Sequence, residues 1–65
     1  MFDYRSAAKR AGISEQDLDR LCRVIRKDFP DDEMMFELHA LRAALAIESG
    51  QITLEQALRS KADAA

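Results

Sequence analysis

Few residues in this chain carry reactive side chains, and their spacing decides what chemistry is open to them. There is one histidine, His39, one cysteine, Cys22, and one tyrosine, Tyr4. His39 has the side chain best suited to exchange a proton near neutral pH. No serine, cysteine or second histidine lies near it in sequence to complete a nucleophile-and-base pair or a ligand set. A structural zinc site needs four nitrogen or sulfur ligands, and one histidine with one cysteine falls short of that. The acidic run Asp31-Asp32-Glu33 offers oxygen atoms to a hard cation, but it lacks the alternating acids and the glycine of a calcium loop. Capping of the helix that follows accounts for it. There is no glycine-rich loop to cradle a phosphate. The chain is therefore read as non-enzymatic, with no cofactor and no metal site.

A second group of residues could touch a partner rather than transform one. Arg20, Arg23, Arg26 and Lys27 gather on the side of a predicted helix away from its apolar stripe. Upstream, Ala8-Lys9-Arg10-Ala11-Gly12-Ile13-Ser14, with Leu18 and Leu21 after it, resembles the helix-turn-helix pattern of DNA-binding domains. The small Ala8 would sit between two helices, Gly12 would make the turn, and Ile13, Leu18 and Leu21 would hold the second helix across the first. The resemblance covers about fifteen residues' worth of pattern. It implies contact of the second helix with DNA, with the four bases against phosphate. Against it, the N-terminal residues that should read bases are Glu15, Gln16, Asp17 and Asp19, three of them carboxylates.

The elements that position these residues are all helical. Only two glycines and one proline interrupt 65 residues, and β-branched residues are sparse. The first helix is expected over 4–11, with Asp3 as its cap and Gly12 after it. Its apolar side, Tyr4, Ala7, Ala8 and Ala11, is mostly small, which allows close approach of another backbone. The second is expected over 15–28, capped by Ser14. Leu18, Leu21, Cys22, Ile25 and Phe29 form its apolar stripe. Pro30 breaks the chain there. The fourth is expected over 54–61, started by a Thr53–Gln56 capping box and burying Leu54, Ala57, Leu58 and Ala62, with the last residues frayed.

Between them lies the organising stretch, DDEMMFELHALRAALAIESG, bounded by Pro30 and Gly50. The helix expected over 32–49 has two apolar stripes. Met34, Leu38, Leu41 and Leu45 fall together, and Phe36, Ala40, Ala43, Ala44 and Ile47 fall roughly opposite. A helix apolar on two sides needs cover on two sides, so it takes the centre of the fold. The expected architecture is a small all-α bundle of three to four short helices in one domain, with helices two and three an antiparallel hairpin about Pro30. The expected core is Leu18, Leu21, Ile25, Phe29, Met34, Leu38, Leu41 and Leu45. Helices one and four then cover the rest, including Ile52, Leu54 and Leu58.

A domain of this size buries only about 60% of its unfolded surface and gains from a staple or a partner. The lone cysteine rules out an internal disulfide. This points to a protein–protein interaction module that pairs with a partner or with itself through the second stripe: Phe36, Ala40, Ala43 and Ile47. The alternative is a small helix-turn-helix-like DNA-binding protein or transcriptional accessory. Charge fits either. Residues 1–27 carry +3 and residues 28–55 carry −6, so the two halves can attract each other or one can attract a polyanion. No apolar run approaches a membrane span, no secretory leader is apparent, and the single thiol suits a reducing compartment, so the expected location is the cytoplasm, away from membranes.

Overall fold

The computed structural model describes residues 3–62, with side chains described up to residue 59. The burial expected for Ala62 lies outside what it describes, and of the frayed end expected over 61–65, residues 61 and 62 continue the last helix while 63–65 lie outside the described residues. The domain is all-α: α1 (Tyr4–Arg10), α2 (Glu15–Asp28), α3 (Glu33–Glu48) and α4 (Leu54–Ala62). Each helix starts where a polar side chain can satisfy an otherwise unpaired backbone N–H. Asp3 accepts from the Ser6 amide at 3.1 Å, Ser14 from the Asp17 amide at 3.1 Å, and Asp32 from the Met35 amide at 3.1 Å. The capping box before α4 is complete, with Gln56 N–H donating to Thr53 Oγ1 at 3.1 Å and Thr53 N–H to Gln56 Oε1 at 2.9 Å.

Two of the helix ends share one device. Gly12 and Gly50 have φ of 78° and 82°. Gly12 N–H bonds the Lys9 carbonyl and Ile13 N–H the Ala8 carbonyl; Gly50 N–H bonds Ile47 and Gln51 N–H bonds Ala46. This is the Schellman pattern, which satisfies the last carbonyls and requires a left-handed residue just past the cap.

α2 and α3 form the expected hairpin, with α1 lying along α3 and α4 packed on α2. One cluster joins Leu21, Ile25, Phe36, Ala40 and Ala57. A second joins Ala7, Ala8, Leu18 and Ala44, with Ile13 and Leu41 packed against it. The small face of α1 does allow close approach: Ala7, Ala40 and Ala44 are fully buried.

The central helix is turned the other way from the sequence expectation. Leu18, Leu21 and Ile25 are core as expected, and Phe29 is half-buried against the core. Met34, however, is 67% exposed and Leu45 42% exposed, while Leu38 and Leu41 are only half-buried. The stripe expected to await a second chain is instead covered at home. Phe36 and Ala40 are buried, and Ala43 and Ile47 are half-buried against the core cluster. The reason is the width of the two stripes. Phe36, Ala40, Ala43, Ala44 and Ile47 span an arc of about 100° around the helix, with only Glu33, at the helix start, inside it. The leucine stripe is narrower, with Glu37 and Glu48 on one edge and Arg42 on the other. Three helices must share one buried face, and only the wide arc accommodates them without burying charge.

Candidate functional site

Among the described residues, the half of α3 that the core does not use is the most exposed large apolar surface. Met34, Leu38, Leu41 and Leu45 follow each other at intervals of four, three and four along the helix. They make a line about 16 Å long at 1.5 Å per residue. Leu41 leans on the α1 cluster and is held by it. Met35, half-buried, lies at one flank. Beside Leu45 a shallow depression runs between Arg42 and Gln51, floored by Ala46. Polar neighbours frame the line. Glu48 is tied to Arg10 of α1 at 3.3 Å. Among the described residues Glu37 and Arg42 are in no ion pair.

The basic face of α2 is largely occupied by its own acids. Arg20 pairs with Asp17 at 3.3 Å and Arg23 with Asp19 at 2.8 Å. Arg26 turns inward. Its guanidinium lies 3.7 Å from the Phe36 ring centre, reaches Glu33 at 3.0 Å, and donates to the Phe29 carbonyl at 3.4 Å. It clamps the end of α2 to the start of α3. Of the four bases proposed as phosphate contacts, Arg20, Arg23 and Lys27 are exposed and Arg26 is a half-buried structural residue. The helix-turn-helix pattern also falls on a different packing. α1 docks along α3, the central helix, through Ala7 and Ala8.

An open groove of about 740 Å³ lies between α1, α2 and the start of α3, with Tyr4, Leu18, Cys22 and Phe36 lining it. The sequence expectation set Phe36 in the stripe that faces a second chain, not beside α2, so it did not foresee this groove. The Tyr4 ring meets Phe36 edge-on at 5.8 Å. Burial pushes the Tyr4 hydroxyl and the Cys22 thiol above their ordinary pKa values; Cys22 raises Tyr4 further, while nearby Arg5 and the Tyr4 hydroxyl only partly offset the effect of burial on Cys22. Neither is activated as a nucleophile. Two acid–base pairs in its lining, Asp19 with Arg23 and Glu33 with Arg26, close on each other.

His39 sits on the far flank of α3. Its Nδ1 lies 2.9 Å from the Met35 carbonyl, which only accepts, so the proton belongs on Nδ1. Its ring packs on Phe29 at 4.5 Å between centres. Among the described residues no group of three or more His, Cys, Asp or Glu is placed to hold a metal ion. No described helix is long and apolar enough to cross a membrane. No protein-family model, curated protein or solved structure matches this chain.

Proposed function

We propose that this domain is a non-enzymatic interaction module that docks on another polypeptide through the outer face of α3. The observation that carries this reading is the exposure of Met34 and Leu45 on a helix whose opposite face already fills the core. Exposed apolar side chains in a line on a rigid helix are the usual form of a helix-docking surface. The face differs from the one that sequence alone singled out, because Phe36, Ala40, Ala43 and Ile47 serve the chain's own core. The unpaired thiol favours a reducing compartment such as the cytoplasm.

The test is site-specific photocrosslinking in the native cell. A benzophenone side chain at Met34 or Leu45 should give discrete protein adducts. The same group at Gln16 or Arg20, exposed on α2, should not. Equal labelling from both faces, or none from α3, would refute the reading. The DNA-binding alternative is tested in parallel. With Arg20 and Arg23 neutralised by their own acids, duplex binding should be weak and steeply salt-dependent. Submicromolar binding at physiological salt that disappears in the Arg20→Ala, Arg23→Ala double variant would put that alternative first.

A further inference from the structure

We infer that the partner of this face is a second copy of the chain, with the two α3 helices parallel and in register. The inference rests on the reading of the α3 face as a docking surface and adds the identity and direction of the partner. The intervals of four, three and four between Met34, Leu38, Leu41 and Leu45 are those of alternating core positions in a two-helix coiled coil. Such a seam is usually too short to hold two free peptides together. Here each helix is already built by its own domain, so pairing does not have to bear the cost of winding it.

Charge decides the direction. Glu37 immediately precedes the core position Leu38, and Arg42 immediately follows the core position Leu41. In a parallel pair, a residue before one core position faces the residue five further along the other chain. Glu37 of each copy then meets Arg42 of the other, twice by symmetry. In an antiparallel pair each flank faces its own equivalent, so Arg42 lies near Arg42 and Glu37 near Glu37, about five residues or 7.5 Å apart along the axis. Among the described residues these two are also the charges at the seam that stay without an ion pair in the monomer, whereas Glu48 at the seam's end is held by Arg10. The acidic starts of the two α3 helices do come to the same end. There Glu33 is paired with Arg26, and Asp31 and Asp32 are exposed to water and screened by salt.

Sedimentation equilibrium from 10 µM to 1 mM tests the pairing. The mass should rise from the 7.4 kDa monomer towards twice that value. Glu37→Arg or Arg42→Glu alone should weaken association by about tenfold, because each turns two attractions into two repulsions, and the double variant should recover it. Direction is read separately with Met34→Cys in a Cys22→Ala background. Parallel pairing places the two new thiols side by side, and oxidation should trap a disulfide dimer; antiparallel pairing leaves them about 16 Å apart. All of these positions except Cys22 and the half-buried Glu37 are exposed, and circular dichroism checks that each variant is folded. A mass that stays monomeric at 1 mM overturns the inference, as do single variants that associate like the parent or a double variant as weak as the singles. If the chain is monomeric but Met34 and Leu45 still crosslink to other proteins in the cell, the docking surface stands and the second copy falls.

Discussion

Truncating Phe36 to alanine should remove most of the stability of this domain, and truncating Met34 should remove almost none. Phe36 is 4% exposed, and Phe→Ala at such a site costs about 3–5 kcal/mol in transfer energy and cavity. The Arg26 guanidinium over its face adds a cation–π contact at 3.7 Å. The Arg26 side chain is itself 39% exposed, so that contact is worth the lower figure of about 0.5–1 kcal/mol. The loss therefore sits near the top of the cavity range, at about 4–5 kcal/mol. A chain of this length is expected to have only about 3–10 kcal/mol in total. Phe36→Ala should leave the protein partly unfolded at room temperature. Met34 is 67% exposed, so about a third of a methionine's burial is at stake, and alanine recovers some of that as helix propensity. The net change should be about 0.5 kcal/mol or less. Urea unfolding followed by far-UV circular dichroism measures both, with Phe36→Leu as a milder variant losing about 1–2 kcal/mol. If Met34→Ala costs as much as Phe36→Leu, α3 is oriented the other way and the assignment of its two faces is wrong.

Thr53→Ala should cost about 1 kcal/mol and raise hydrogen exchange at the Gln56 amide, whose bond to Thr53 Oγ1 is 3.1 Å. Gly12→Ala should cost about 1–2 kcal/mol although a Cβ there meets nothing within 4 Å, because the loss is one of left-handed backbone alone; an unchanged melting temperature would contradict it. The Asp3 carboxyl is held below its ordinary value by the Ser6 hydroxyl, then by the Ser6 amide. Its contribution is therefore present above the ordinary aspartate range and lost as the pH falls through the lowered folded value, so Asp3→Asn should flatten the acid side of the stability profile. Burial holds the Cys22 thiol protonated, so a disulfide reagent at pH 8 should react more slowly with the folded protein than with the urea-unfolded chain.

What could be read from the sequence was local. Ser14, Asp32, the Thr53–Gln56 box and the two glycines each mark a helix boundary through bonds made within five residues, so the expected limits of α2 match the structure, those of α1 and α4 differ by one residue at one end, and those of α3 by one residue at each end. The stripe of α2 was equally plain, because only one of its faces is apolar. α3 offered two faces, and no local bond chooses between them. Leucine count favoured the one with Met34 and Leu45. The choice was made by three neighbours at once: Ala7 and Ala8 of α1 need small residues opposite, and Phe36 fits between Tyr4 and Arg26. That information is distributed over three helices and is legible only after they are placed together. The candidate surface changed with it, since whatever the core does not take is what remains for a partner. The width of the Phe36 arc, free of charge but for Glu33 at the helix start, was the signal available, and it outweighs side-chain size.

The alanine seam between α1 and α3 has a consequence for the order in which the molecule opens. α1 is seven residues long, well short of the dozen or so at which a helix begins to persist unaided. Ala7 and Ala8 hold it by closeness, and a gap of about 0.5–1 Å already forfeits a quarter to a half of the attraction between such small side chains. α1 therefore has no intermediate position: it is either docked or melted. On heating or in mild denaturant it should detach first as a unit while α2, α3 and α4 remain joined through Leu21, Ile25, Phe36 and Ala57. Native-state hydrogen exchange would then show the amides of α1 exchanging together, at a lower free energy than those of α2 and α3.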